Sequence, residues 1–237
     1  MTRHGKKYSA EAATIERDRL YPPGEALELV KQNAQAKFDE TIEVHLRTNL
    51  DPRQAEQQVR GVVNLPAGTG KLVRILVFAE GEAERTAREA GADYVGSDEL
   101  IQKIQNETWT EFDVAIAVPQ VMSKVGRLGR ILGTRGLMPN PKAGTIVQPE
   151  DLTRVIRETR QGRVEYRLDR TGNVHVPIGK ASFSVDQLME NLSALLEAIM
   201  RARPASLRGQ YVRKATVTST MGPGVHIDLS AVTAGRG

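Results

Sequence analysis

The stretch PAGTGKLVRILVF, residues 66–78, is where the character of the chain changes. Its last seven residues are an almost unbroken apolar run, the pattern of a strand buried on both faces. Before it the chain reads differently. In residues 41–48, Ile42, Val44 and Leu46 alternate with Glu43, His45 and Arg47, which predicts an antiparallel strand with one wet face. After it come a helix over 83–90, a strand at 93–95, a helix over 98–106 and a strand over 114–118, an order that implies a parallel sheet flanked by helices. Pro119 opens another helix, which runs into a basic loop, and residues 151–160 form a further helix capped by Gln161 and Gly162. Alternation then returns. Val164, Tyr166 and Leu168 interleave with Glu165 and Arg167, a turn follows at 169–172, and Val174, Val176 and Ile178 make the next apolar face, which together predict a hairpin.

Alternating strands on both sides of a parallel-type middle predict that the middle is an insertion into a domain built from both ends of the chain. The boundaries expected are 1–67 with 159–237 for the outer domain and 68–158 for the inserted one. The chain then crosses between domains twice, at Gly68-Thr69-Gly70 and at Arg160-Gln161-Gly162, where Gly68, Gly70 and Gly162 can act as hinges. The first twenty residues, His4 among them, are polar and read as a tail or a short helix, and a small-residue tail runs to Gly237. A helix is expected from Glu25 to about Lys37, and a short one from Asp51-Pro52 through Val59. Ser184 and Gln187 form a capping box for a long helix with Leu188, Leu192, Leu195, Leu196 and Ile199 as its buried stripe.

Composition removes whole classes of chemistry. The chain has 237 residues, 40% of them hydrophobic, and no cysteine, so a disulfide framework and thiolate chemistry are excluded. His4, His45, His175 and His226 lack metal-ligand spacing, so no metal is expected. No apolar run approaches the roughly 20 residues that span a bilayer, and the start of the chain lacks a secretory apolar segment, so no membrane partner and a cytoplasmic location are expected. Residues 67–71 (AGTGK) have the outline of a P-loop, but Leu65 and Leu72 stand where it needs glycine and Ser or Thr, and a strand follows instead of a helix. The first βα turn of the middle, residues 78–84, offers one glycine and three carboxylates, which would repel a pyrophosphate. There is no GxSxG elbow, and Asp39-Glu40 has no evident acid-base partner. Neither enzyme nor cofactor is expected.

The net charge is +4 with a pI near 9.4, a modest bias toward polyanionic partners. Residues 68–158 hold twelve basic and thirteen acidic side chains, so the excess lies in the terminal parts. Two basic runs are free of acids: residues 201–214, and the loop carrying Lys124, Arg127, Arg130, Arg135 and Lys142. That loop is punctuated by Gly126, Gly129, Gly133 and Gly136, whose freed amides suit a nucleic-acid backbone, while Leu128, Ile131, Leu132, Leu137 and Met138 would anchor it. The closing stretch TVTSTMGPGVHI, residues 216–227, reads as a strand with one hydroxyl face, an uncharged loop at Gly222-Pro223-Gly224, and a second strand. Taken alone it is an ordinary hairpin, with glycine backbone that lets another polar backbone approach.

Four motifs together resemble the universal family of ribosomal stalk proteins that includes the bacterial first protein of the large subunit. They are GRLGRILGTRGLMPNPK, the run Lys37-Phe38-Asp39-Glu40-Thr41, the DPR…VRG…LP run over 51–66, and Thr220-Met221-Gly222-Pro223-Gly224. Thr134 departs from the family, which often has proline there. The resemblance spans essentially the whole chain. It implies an α/β fold with a discontinuous ferredoxin-like (split β-α-β) outer domain and an inserted Rossmann-like three-layer α/β domain. It also implies a monomeric, non-enzymatic large-subunit constituent that binds the stalk region of large-subunit rRNA, holds exit-site tRNA as it leaves, and represses translation by binding its own mRNA. By that resemblance Lys37, Phe38, Thr41 and Glu43 face Ser219, Thr220, Met221 and Gly222 across the main rRNA site, and Arg163, Arg167 and Arg170 contact phosphates. A generic single-strand RNA binder would show stacking aromatics on its sheet, yet Tyr166 stands almost alone there and aromatics are 4% of the chain.

Overall fold

The computed structural model of the chain describes residues 5–229; His4 and the tail read from residue 230 onward lie outside them. In order, α1 (Lys6–Ala13), α2 (Pro23–Gln32), β1 (Thr41–Thr48) and β2 (Arg60–Asn64) come first. Then follow β3 (Ile75–Phe78), α3 (Glu82–Glu89), β4 (Tyr94–Gly96), α4 (Asp98–Glu107), β5 (Val114–Ala117), α5 (Met122–Val125), α6 (Gly129–Thr134) and α7 (Leu152–Gln161). The described chain ends with β6 (Arg163–Arg167), β7 (Asn173–Lys180), α8 (Val185–Arg201), β8 (Val212–Ser219) and β9 (Val225–Ile227). The protein is a mixed α/β molecule with several sheets, and it divides into two units. One unit takes the chain up to Gly70 and again from Gly162; the other is Lys71–Gln161.

The first unit is built on an antiparallel sheet in the order β7-β1-β8-β9. Every second residue of β1 is buried, and Ile42, Val44 and Leu46 join Val176, Ile178 and Val217 against α2 and α8 in one core. Ser184 caps α8 by accepting from the Gln187 N–H, and Gln187 Oε1 accepts from the Ser184 N–H, so the capping box is complete. The N-terminal segment is tied to this sheet: Tyr21 bridges Ile227, with the Tyr21 N–H donating to the His226 carbonyl at 2.9 Å and the Asp228 N–H to the Tyr21 carbonyl at 2.9 Å.

Strands β2 and β6 form a separate two-stranded sheet, which corrects the hairpin expected over 164–178. The turn at 169–172 closes, with Asp169 accepting from the Thr171 and Asn173 N–H groups, but β6 pairs with β2 and β7 with β1. The two arms are joined at the turn, by the Leu168–Val174 bridge and by the Asp169 N–H donating to the Asn173 carbonyl at 2.8 Å. Two other elements are shorter than their patterns imply. Helix α2 ends at Gln32 because the Ala36 N–H is taken by Glu40 Oε1 at 2.8 Å, which turns the chain toward β1. After Asp51 there is a single 3-10 turn, Ala55–Gln57; Asp51 Oδ1 accepts from Arg53 N–H and Gln57 Oε1 from Asp51 N–H, and such side-chain bonds compete with a helix.

The second unit has a parallel sheet in the order β4-β3-β5, with all four residues of β3 buried as the unbroken apolar run requires. The strand starts at Ile75 rather than Leu72, which is 91% exposed, because the Arg74 N–H goes to Asp113 Oδ2. The basic segment after Pro119 is more helical than a loop: α5, a 3-10 turn over Gly126–Leu128, and α6 follow one another, with Leu128 and Leu132 fully buried beneath them.

Candidate nucleic-acid interface

The end of β8 and the start of β1 meet because the antiparallel register sets Ser219 opposite Ile42 and Thr218 opposite Glu43. One residue further, the Thr41 N–H donates to Thr220 Oγ1 at 3.0 Å, and that hydroxyl donates back to the Thr41 carbonyl at 3.3 Å. A threonine side chain thus continues the ladder where the strand stops. The Met221 N–H donates to Glu40 Oε2 at 2.9 Å, and Glu40 also accepts from Ala36, so one buried carboxylate holds both loops. Asp39 is tied to Ser182, whose hydroxyl donates at 2.7 Å, and Lys180 Nζ donates to Thr41 Oγ1 at 2.8 Å.

On this frame two apolar side chains stand in solvent: Phe38 is 56% exposed and Met221 64%. Lys37 and Thr220 are exposed beside them, Glu43 is half-buried, and Ser219 is buried with its hydroxyl accepting from the Gly222 N–H at 3.1 Å. Gly222 has no positive φ; a Cβ there would lie 2.5 Å from Ser219 Oγ, so close approach is what requires glycine. The structure therefore brings together Lys37, Phe38, Thr41, Glu43, Ser219, Thr220, Met221 and Gly222. Glu40, Asp39, Lys180 and Ser182 complete the frame. Sequence reasoning missed their role, because their partners lie up to 181 residues away.

Arg163, Arg167 and Arg170 lie elsewhere. Arg163 and Arg167 are on the two-stranded sheet, and Arg170 is on the turn whose Gly172 carbonyl accepts from the Thr48 N–H, at the far end of β1 from Thr41. In the second unit, Arg127, Arg130 and Lys142 are exposed, and Arg135 donates to Thr110. Lys124 is engaged: Nζ donates to Glu80 Oε1 at 2.7 Å and Asp98 Oδ2 at 2.9 Å, beyond the carboxyl ends of β3 and β4. These bonds, Glu80 first, raise the Lys124 pKa, and the Glu80 pKa is lowered by Lys124 and then by Ser97. That position is the usual ligand crevice of an open α/β sheet. Here an ion-paired lysine occupies it.

Gly68, Gly70 and Gly162 all have positive φ, at 76°, 71° and 117°. A Cβ on Gly162 would come within 2.6 Å of Gly68 Cα, so the two crossing segments run in backbone contact. Asn191, fully buried in α8, fixes them: Oδ1 accepts from the Ala67 N–H, and Nδ2 donates to the Gly68 and Ile178 carbonyls.

The solvent face of the four-stranded sheet carries a row of polar side chains, His226, Thr216, His45 and His175, in register. The Nδ1 atoms of His45 and His175 are 2.7 Å apart, within hydrogen-bonding distance, and His175 Nε2 faces Asp169 Oδ2 at 3.3 Å. Burial, then His175, lowers the His45 pKa, with Glu43 acting the other way. Burial works against ionisation of Asp169, but bonds from Asn173, Thr171 and His175 outweigh it and hold that carboxyl below its ordinary value. Among the described residues no group of three or more His, Cys, Asp or Glu side chains could hold a metal ion, and no helix is long and apolar enough to cross a membrane.

A family model described as "Ribosomal protein L1p/L10e family" matches residues 30–223. The chain is 60% identical over 232 residues to the large ribosomal subunit protein uL1 of Chloroflexus aggregans, covering 98% of each chain. It is 54% identical over 234 residues to the protein of the same name from Dehalococcoides mccartyi, covering 99% of this chain and 98% of the other. The uncharged Thr220 loop, its Phe38 partner and the basic segment all fall within the matched span, and the chain belongs to the ribosomal protein L1p/L10e family.

Proposed function

We propose that the protein is a non-enzymatic structural constituent of the large ribosomal subunit, located in the ribosome in the cytoplasm, and that it binds the stalk region of large-subunit rRNA through the Phe38–Thr220 face. The observation that carries this reading is the pair of exposed apolar side chains, Phe38 and Met221, on two loops that one buried carboxylate locks together. A soluble surface gains nothing by holding a phenylalanine and a methionine out in water. A ribose or base face covers them, while Ser, Thr and glycine backbone groups read sugars and Glu43 accepts from a 2′-hydroxyl or base amine. Lys37, Arg163, Arg167 and Arg170 supply phosphate contacts.

In this reading the first unit is the discontinuous, split β-α-β outer domain, and the second is an inserted Rossmann-like domain. The glycines at 68, 70 and 162 form a double hinge between them. The inserted domain presents Arg127, Arg130, Arg135 and Lys142 to exit-site tRNA and lets it leave as the hinge moves; Lys124 serves its own domain. The same face binds a similar site on the protein's own mRNA and represses its translation, and the free protein is a monomer.

The test is binding to a large-subunit stalk-junction RNA and to a plain duplex of equal length, for the wild type and for the Thr220→Ala, Met221→Ala double variant. The wild type prefers the junction, and the variant loses about tenfold or more of that affinity, as expected when an apolar side chain buried against the RNA and a neighbouring hydroxyl are removed. Equal binding to both RNAs, unmoved in the variant, would refute the reading.

A further inference from the structure

The chain has no cysteine, so all of its sulfur is methionine thioether. Of the described methionines Met221 is the most exposed, at 64% against 42% for Met200, and Met122, Met138 and Met189 are half-buried. Exposure alone would make it an ordinary surface residue. The loop around it does more. Glu40, from its buried place, accepts from the Met221 N–H, so the backbone that carries the thioether is pinned at the surface. The neighbours offer no cover: the Thr220 hydroxyl is turned to the Thr41 backbone, and Gly222 has no side chain because Ser219 Oγ lies where its Cβ would be. The donors beside it are spent. The Thr41, Met221 and Gly222 N–H groups already go to Thr220 Oγ1, Glu40 Oε2 and Ser219 Oγ.

Resting on the RNA-binding function proposed above, we propose that Met221 is a reversible oxidation site, at which hydrogen peroxide weakens junction-RNA recognition by the RNA-free protein. The sulfur lone pair attacks one peroxide oxygen. The S–O bond forms as the O–O bond breaks, the proton on that oxygen passes to the departing hydroxide, and the products are methionine sulfoxide and water. Sulfur loses the two electrons that the peroxide gains. The side chain is now polar where it was apolar. In the free protein the new oxygen is hydrated, but against a ribose or base face it loses that water, and the three backbone donors beside it are taken, so the complex carries an unpaired acceptor. A methionine sulfoxide reductase with a dithiol reverses the step: the oxygen leaves as water while the dithiol closes to a disulfide. RNA that already covers Met221 keeps peroxide from the sulfur, so only the free protein is switched.

The full chain is treated with hydrogen peroxide, the sulfoxides are mapped by peptide mass spectrometry, and affinity for the stalk-junction RNA is measured before and after. Met221 oxidises ahead of Met200 and the other methionines. The treated wild type loses about tenfold in affinity, and sulfoxide reductases with dithiothreitol restore it. Met200 stands near the far end of α8, about 23 Å along the helix from Val185, and Met200→Leu loses as much as wild type. Met221→Leu, compared with itself before treatment, loses nothing, whatever affinity it starts from. Junction RNA present during treatment protects Met221, and the duplex does not. A wild type fully oxidised at Met221, with unchanged affinity and intact junction preference, overturns the switch and leaves the function standing. An equal loss in Met221→Leu, or oxidation that reaches Met200 first, does the same. An untreated wild type that binds junction and duplex alike removes the function itself, and the switch falls with it.

Discussion

Glu40 shows how one buried side chain can fix two loops that lie far apart in sequence. It is 1% exposed, and its two oxygens accept from the Ala36 and Met221 N–H groups at 2.8 and 2.9 Å. The first bond ends α2 early and the second fixes the loop that follows β8, so the positions of both Phe38 and Met221 depend on this carboxylate. Glu40→Ala leaves two backbone donors in a buried place, a loss of about 2–4 kcal/mol. Chemical denaturation should read that loss, and junction-RNA affinity should fall with it even though Glu40 is not offered to the RNA. Glu40→Gln, which keeps one acceptor, should lie between the two. An alanine variant of wild-type stability would mean that the loops are held by the Thr41–Thr220 bonds alone. In the sequence, Asp39-Glu40 is only a pair of acids before a strand. Nothing within a few residues shows that Glu40 has a backbone partner 181 positions later.

At the level of strands and helices, the patterns that depend on neighbours were legible and those that depend on choice of partner were not. Period-two alternation predicts β1, the unbroken apolar run predicts the buried β3, and Ser184 with Gln187 predicts the capping box, because burial and local bonding set each of them. The alternation on either side of the 169–172 turn predicts two strands correctly but cannot say that β6 pairs with β2 and β7 with β1. The same blindness hides the His45–His175 contact, 130 residues apart in sequence, which exists only because β1 and β7 are in register. Burial of His45, and then that contact, make the sheet sensitive to pH. The His45 pKa is lowered from 6.5 in the folded protein, so the unfolded chain binds the proton more readily. Stability is therefore complete above the unfolded value and declines as pH falls through it toward the folded one. Melting temperatures followed from about pH 8 down to about pH 5 should drop more steeply for the wild type than for His45→Asn. Equal slopes would mean that His45 does not couple the stability of the sheet to pH.

The molecule as a whole is two cores on one chain. Val44, Leu46, Val176, Leu192 and Val217 belong to one, and Ile75, Phe78, Ile116, Leu132 and Ile156 to the other. The chain leaves and re-enters the first unit through segments already in contact: the Leu65 N–H donates to the Gly162 carbonyl at 3.1 Å, Gly162 abuts Gly68, and Asn191 holds both Ala67 and Gly68. The entry and exit are closed against each other within one unit, so a short flexible linker can replace residues 71–161 with little loop-closure cost. The excised first unit should then fold cooperatively and keep its preference for junction RNA over duplex within about threefold, a change of well under 1.4 kcal/mol. Its Thr220→Ala, Met221→Ala double variant should lose that preference as it does in the full chain. Residues 71–161 alone, with thirteen basic and thirteen acidic side chains, should fold but show no junction preference. If the excised unit folds and binds the two RNAs alike, shape recognition needs the inserted unit, and the Phe38–Thr220 face is only part of the site.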